Sequence, residues 1–64
     1  MMKGTVDWYD PFRGYGFIKS EDGNNIFVHH TAFPKEMQLY KDDAVEFDTE
    51  ETDKGIKAVK VKKV

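Results

Sequence analysis

Two short stretches of aromatic and small residues decide the fold of this chain. They are Arg13-Gly14-Tyr15-Gly16-Phe17-Ile18 and, one turn later, Ile26-Phe27-Val28-His29-His30. Successive side chains of a β-strand point to opposite faces, so Tyr15 and Phe17 share one face and Ile18 takes the other. The second stretch alternates in the same way, with Phe27 and His29 on its aromatic face. The pattern predicts two strands with an aliphatic side toward a core and an aromatic side toward solvent.

An aromatic face in water is costly unless another molecule covers it. Trp8, just upstream, can join the same surface. Exposed flat rings beside a basic residue are the kind of surface on which unstacked nucleic-acid bases bind. The first stretch also fits the start of a ribonucleoprotein consensus: a basic residue, glycine, an aromatic, glycine, phenylalanine and an aliphatic residue. The RNA-recognition-motif fold is excluded, because it needs two helices that this sequence does not predict.

Turn signals divide the chain into five predicted strands. Asp22-Gly23-Asn24-Asn25 and Thr52-Asp53-Lys54-Gly55 are hairpin signals between runs of β-branched and aromatic residues. We expect strands near residues 2–10, 14–20, 25–30, 44–51 and 56–63. No sustained apolar period of 3.6 residues predicts a helix, although Thr31-Ala32-Phe33 could form one helical turn. The fold class is therefore all-β, a five-stranded antiparallel barrel, since closure removes exposed strand edges.

The expected core is almost entirely aliphatic. Its members are Val6, Ile18, Ile26, Val28, Leu39, Val45, Phe47 and Val61. Val6 and Trp8 have the same parity in the first strand, although we expect the first inside and the second outside. A β-bulge or strong coiling between them would reconcile the two positions.

Composition limits what a chain of 64 residues can do. We expect one domain with a small core, and the lack of cysteine excludes disulfides and thiolate metal sites. Met1 to Gly4 contain no apolar run, so we expect no secretory signal, no membrane span and a cytoplasmic location. A monomer is expected. Catalysis is not, because Ser20 is the only serine and the chain has no P-loop or dinucleotide fingerprint.

The charge distribution says more than the formal net charge of −2. Residues 31–53 carry two basic and eight acidic side chains, whereas residues 54–64 carry five lysines and no acid. A single-sign field over the whole molecule is therefore not expected. A polyanion would be held locally, by stacking first and by charge second.

With both motifs in this order, the chain resembles the cold-shock domain family of five-stranded OB-type barrels. The resemblance spans nearly the whole chain and is carried by Gly4-Thr5-Val6, Trp8-Tyr9, residues 13–18, Asp22-Gly23, residues 26–29 and Thr31-Ala32. It implies that residues 1–64 form one cold-shock-type domain that binds single-stranded RNA or DNA. It implies no cofactor and no small-molecule substrate. Members of the family are RNA chaperones and regulators of transcription and translation.

The resemblance also implies which residues bind. The stacking platform, called the platform below, consists of Trp8, Tyr15, Phe17, Phe27 and His29. Arg13 would contact a phosphate or a base, and the candidate backbone contacts are Lys3, Lys19 and Lys54. His30 belongs to the same candidate site. Because His29 and His30 are adjacent, in a regular strand they would point opposite ways and could not both ligate one metal. Gly14 and Gly16 would let a ligand approach the sheet closely.

Four departures from the family pattern stand out. Asp7 occupies a position where lysine is usual, His30 replaces a phenylalanine, and Ile56 replaces a proline. The connection after Phe33 is shorter and lacks an aromatic that often extends the platform.

Several residues allow two interpretations. Phe12 could stack on a base or pack beside Pro11, while Tyr9 is expected to pack partly into the barrel. Lysines 57, 60, 62 and 63 form a solvated strand face by default, as does the acidic run 46–53. The alternative function is a protein-interaction barrel, in which the same rings form a hot spot for a partner protein.

Overall fold

Each predicted strand is present in the computed structural model, which describes residues 1–34 and 36–64. The strands are β1 (Met2–Asp10), β2 (Tyr15–Ser20), β3 (Asn25–His29), β4 (Ala44–Thr52) and β5 (Gly55–Lys63). A 3-10 turn over His30–Ala32 follows β3 and overlaps the single turn over residues 31–33 that the sequence allowed. The strands close a barrel in the order β1-β2-β3-β5-β4, which confirms the predicted all-β fold. Among the described residues no helix has the length and apolar character needed to cross a bilayer.

One strand pair differs from the antiparallel prediction. β3 and β5 run parallel, with Phe27 opposite Lys57 and Val28 opposite Ala58. The pairs β1–β2, β1–β4, β2–β3 and β4–β5 are antiparallel. Strand directions that alternate around a ring cannot close when the number of strands is odd, so a five-stranded barrel needs a parallel pair. The prediction of an antiparallel barrel was wrong for this seam.

The barrel interior holds the aliphatic side of the strands. All of the predicted core residues are buried: Val6, Ile18, Ile26, Val28, Leu39, Val45, Phe47 and Val61. Ala32 and Ala58 complete this core. Tyr9 packs against its edge, with its ring 5.5 Å from that of Phe33, as expected. Burial, with a further contribution from Asp10, raises the pKa of Tyr9.

Of the two features that would reconcile Val6 with Trp8, a bulge or strong coiling, β1 has a bulge, and it lies at Asp7. Val6 pairs with Ile18 and Trp8 pairs with Phe17, so Asp7 is the extra residue between them. The inserted residue reverses the face of the sheet to which the following side chains of β1 point. Val6 is therefore fully buried, whereas Trp8 is 41% exposed on the outside.

A second bulge lies in β5, where Lys60 adopts an unusual backbone conformation. Glu46 pairs with Lys62 and Asp48 with Val59, so two residues of β5 stand opposite one residue of β4. The φ angle of Lys60 is 53°. This left-handed region costs a residue with a Cβ atom about 1–2 kcal/mol, whereas glycine enters it freely.

Lys60→Gly should therefore stabilise the barrel, although glycine in a strand normally weakens it. We expect the free energy of unfolding in urea to rise by about 0.5–1 kcal/mol, since relief of the backbone strain exceeds the entropic cost of glycine. Lys62→Gly is the control, because Lys62 lies at a regular paired position. This variant should lower the free energy of unfolding by a similar amount. Equal destabilisation by both substitutions would contradict the strain argument.

Candidate functional site

The platform residues lie on the outer face of three neighbouring strands. Trp8 of β1 pairs with Phe17 of β2, and Phe17 pairs in turn with Phe27 of β3. Tyr15 pairs with His29 in the next register position of the same face. Side chains directly opposite on one face approach within about 5 Å at Cβ, so the register brings these rings into contact.

The ring contacts form one continuous surface. Trp8 lies 5.8 Å from Tyr15 and 5.7 Å from Phe17, measured between ring centroids. Phe27 lies 5.8 Å from Phe17, 6.0 Å from Tyr15 and 6.4 Å from His29. The plane of Phe27 is tilted by 29° from that of Tyr15 and by 28° from that of His29, so its face is roughly parallel to each of them.

The facing of the two motif strands agrees with the side-chain alternation in the sequence. Ile18 and Val28 are fully buried. Phe17 and Phe27 are only half-buried, with the rest of each ring accessible from outside. Aromatic area left accessible in this way, and joined edge to edge, is typical of a binding surface.

Arg13 lies at one edge of the platform and is held in place by two neighbours. Its guanidinium Nη1 donates a hydrogen bond to the Tyr15 hydroxyl at 3.2 Å, and its Nε lies 3.6 Å from a carboxylate oxygen of Asp10. These contacts, the Tyr15 hydrogen bond first, raise the pKa of Arg13 above its ordinary value. The side chain remains 71% exposed, so its positive charge is available to a ligand.

His29 and His30 do not point opposite ways, so that expectation was wrong. Their ring centroids are 4.2 Å apart, because β3 ends at His29 and the chain turns into the 3-10 segment there. The His29 Nδ1 accepts from the Thr31 backbone N–H at 3.5 Å and lies 3.0 Å from the Thr31 hydroxyl. The two imidazoles thus extend the row of rings by one position. Within the described residues, no group of three metal-ligating side chains comes together.

The two glycines beside Tyr15 have a different role from the one expected. A Cβ atom on Gly14 would lie 2.6 Å from the His30 ring, and one on Gly16 would strike the Trp8 carbonyl oxygen. Both glycines are buried, so the space next to them is already filled by protein. They let β1 and His30 approach β2 and do not open the sheet to a ligand.

A groove of about 570 Å³ runs beside the platform, and lysines line it. Phe17 and Phe27 form one wall, while Lys54 of the second hairpin and Lys57 of β5 form the other. From the sequence we expected Lys54 in the site and Lys57 on a solvated strand face. The parallel pairing of Phe27 with Lys57 places it here, and no local sequence signal predicts a pairing across that distance.

The remaining predicted residues lie at the margins. Lys19 is exposed on β2, two positions beyond Phe17, and lies past the Phe17 end of the platform. Lys3 is also exposed but lies opposite Glu46 of β4, at the end of β1 remote from Trp8. Asp7 is exposed in the bulge directly beside Trp8. The structure therefore groups Arg13 and Lys54 with the rings and leaves Lys3 apart from them.

Comparisons with known proteins agree with this geometry. The "Cold-shock" DNA-binding domain model matches residues 2–64. The chain is 43% identical over 63 residues to cold shock protein 1 of Lactiplantibacillus plantarum, covering 95% of this chain and 96% of that protein. It is 42% identical over 65 residues to the cold shock-like protein of Thermotoga maritima, covering 98% of each. The solved structure "drosophila Unr CSD456" is similar in fold, with a TM-score of 0.79 and 23% identity, covering 98% of this chain and 26% of that one.

Gly16→Ala should disturb the platform from beneath. The added Cβ would meet the backbone of Trp8 and lie 2.7 Å from the Tyr9 Cα, so β1 must move away from β2. We expect a loss of about 1–3 kcal/mol in the free energy of unfolding and a shifted Trp8 emission maximum in the folded state. Gly23→Ala is the control for the emission change: its φ of 92° makes alanine strained there too, so it should also lose stability, but its Cβ would meet open space in a distant hairpin and Trp8 emission should not shift. A Gly16→Ala protein with unchanged Trp8 emission would show that this contact does not position the ring.

Proposed function

Because the chain belongs to the cold-shock domain family, whose members bind nucleic acid and are not enzymes, we propose that it binds single strands of RNA or DNA by stacking unpaired bases on the platform. The observation that carries this proposal is the continuous row of accessible rings from Trp8 to His29. Bases inside a duplex are already stacked and cannot reach such a surface. Unpaired bases can, whatever their sequence, since every base has a flat face.

Magnitudes favour stacking over charge as the main source of affinity. One stacked base contributes about 1–3 kcal/mol, as judged by alanine substitution. An exposed ion pair contributes about 0–1 kcal/mol and is weakened by salt. Two or three stacked bases therefore outweigh the few cations around the site, and a chain with a net charge of −2 can still bind a polyanion.

The polar groups of the site would then orient the strand. Arg13, already held by Tyr15, would contact a phosphate or a base at one edge, and Lys54 a phosphate across the groove. Lys19, beyond Phe17 on β2, and Lys3, at the end of β1 remote from Trp8, are weaker candidates for phosphate contacts. Because the His29 Nδ1 is engaged by Thr31, Nε2 is the ring nitrogen left to hydrogen-bond a base.

We infer a role as an RNA chaperone or cold-shock-type regulator from the same chemistry. A protein that binds only unpaired strands shifts the equilibrium of an RNA hairpin toward the open form by mass action. No residue has to act on the RNA chemically. The monomeric state and the cytoplasmic location stay predictions from the sequence.

Trp8 supplies a direct test, because it lies within the proposed site. Adding oligothymidine should quench its fluorescence at micromolar concentrations of the strand. The double-stranded form of the same sequence should quench it far less. Unchanged fluorescence with both would contradict nucleic-acid binding and favour a protein partner for the platform.

Phe27→Ala and Val28→Ala form a matched pair that separates binding from folding. Phe27 lies on the platform and Val28 is fully buried beside it. Phe27→Ala, and likewise Phe17→Ala, should weaken single-strand binding by about 1–3 kcal/mol. Val28→Ala should lower the free energy of unfolding by about 1–3 kcal/mol through a cavity and leave the affinity of the folded protein nearly unchanged. Titration and urea unfolding measure the two effects, and a reversed pattern would rule out the platform.

Asp7→Lys should tighten binding, more at low salt than at high salt. A carboxylate beside Trp8 repels a passing phosphate, and screening weakens that repulsion. With two or three phosphate contacts, log affinity should fall with log salt at a slope of about −1 to −2, and a new lysine contact should add about −0.7. Affinity for one oligonucleotide across a salt series measures both slopes. An unchanged affinity at low salt would place Asp7 outside the binding face.

A further inference from the structure

The cross-strand row of side chains that begins at Trp8 does not end at the last ring. Trp8 pairs with Phe17, and Phe17 pairs with Phe27. Barrel closure continues the row, because Phe27 pairs with Lys57 of β5 and Lys57 pairs with Glu50 of β4. Residues directly opposite each other in a sheet share a face. Rings, an ammonium group and a carboxylate therefore follow one another across the outside of the barrel.

Lys57 stands between the rings and Glu50. Its side chain lines the groove beside Phe27, and its Nζ lies 3.9 Å from a carboxylate oxygen of Glu50. The side chain of Lys57 is 38% exposed and that of Glu50 is 60% exposed, so a molecule in the groove can reach both. An ion pair as exposed as this one is weak, so an anionic ligand can compete with it.

A carboxylate and a phosphate diester make the same kind of contact with an ammonium group, since both accept its charge-assisted hydrogen bonds. We propose that Glu50 competes with the phosphates of a bound strand for Lys57, so that this ion pair sets how far the binding surface extends from β3 onto β5. The inference rests on the proposed function, because the competing ligand is the strand whose bases stack on the platform. Removing Glu50 would free Lys57 to bind a phosphate.

Other charges near the groove are placed differently. Of the two lysines that line it, Lys54 and Lys57, only Lys57 is held by a carboxylate in the part of the chain that the structure describes. Glu51 pairs with Ile56, and strand alternation puts its side chain on the face of β4 opposite to that of Glu50. Glu50 and Glu51 therefore carry the same charge at adjacent positions, but only Glu50 faces Lys57.

Glu50→Gln and Glu51→Gln form a matched pair that separates local competition from net charge. At low salt, Glu50→Gln should bind oligothymidine about 2- to 5-fold more tightly than the wild type, which is the range that a weak exposed ion pair allows. Glu51→Gln removes the same charge from the other face and should change the affinity far less. Equal tightening by both variants, or an unchanged affinity of Glu50→Gln, would overturn the proposal.

The salt dependence of binding supplies a second signature. In the wild type the Lys57–Glu50 pair has no net charge and displaces no counterion from the strand. In Glu50→Gln the free lysine neutralises one phosphate, whose condensed counterion is released. The slope of log affinity against log salt should therefore become steeper by about 0.7 in Glu50→Gln and keep its wild-type value in Glu51→Gln. A wild-type slope in Glu50→Gln would contradict a new phosphate contact.

Lys57→Gln completes a double-mutant cycle with Glu50→Gln. Alone, Lys57→Gln leaves the Glu50 carboxylate unpaired near Phe27 and should weaken binding. The double variant should lose both the gained affinity and the steeper slope and return close to the wild type. A double variant that keeps the gain would show that Lys57 is not the contact and would overturn the proposal.

Two readouts keep failure of this inference apart from failure of the proposed function. Wild-type protein that binds no oligothymidine would overturn both. Wild-type binding that quenches Trp8, together with no response to Glu50→Gln, would overturn only the competition for Lys57. Urea unfolding checks the fold of each variant, and because both side chains are exposed, the unfolding midpoints should stay close to that of the wild type.

Discussion

Side-chain alternation in β2 and β3 is the constraint on which the rest of the molecule depends. Each strand puts its aliphatic residues into the barrel and its rings on the outside, so the same two short strands supply both part of the core and most of the candidate site. A register slip of one position would exchange the two faces and remove both. β1 joins this arrangement only through the bulge at Asp7, which turns Trp8 outward after Val6 has turned inward.

Barrel closure supplies the lysine side of the groove, which β1, β2 and β3 do not provide by themselves. An odd ring of strands requires a parallel seam, and the seam between β3 and β5 brings the second hairpin alongside Phe17 and Phe27. The groove that results has rings on one side and lysines on the other. Its two halves are separated along the chain by the polar connection and by β4, and only closure joins them.

Opposite charges lie close together on neighbouring strands. Four acidic residues lie on β4 and four lysines on β5. Lys57 of the groove lies 3.9 Å from Glu50, and Lys63 lies 3.2 Å from Asp43, just before β4. Such exposed pairs contribute little stability. The Tyr40 backbone N–H, with Lys63 as a lesser cause, lowers the pKa of Asp43 and keeps its carboxylate ionised. The surface around the platform therefore carries charges of both signs.

The sequence by itself determined the strands, the core and the outward rings, because period-two alternation and turn chemistry are local and the two motifs satisfy both. The parity of Val6 and Trp8 indicated an irregularity in β1, either a bulge or strong coiling, and the structure has the bulge at Asp7. Tertiary structure decided what the local pattern does not contain: the parallel seam, the place of Lys57 beside Phe27, and the contact of the His30 ring with His29 where the strand ends. It also reversed the roles of Gly14 and Gly16 and left Phe12 in water. Side-chain alternation predicts which way a side chain points, but only the packed structure shows whether the space beside it is already filled by protein.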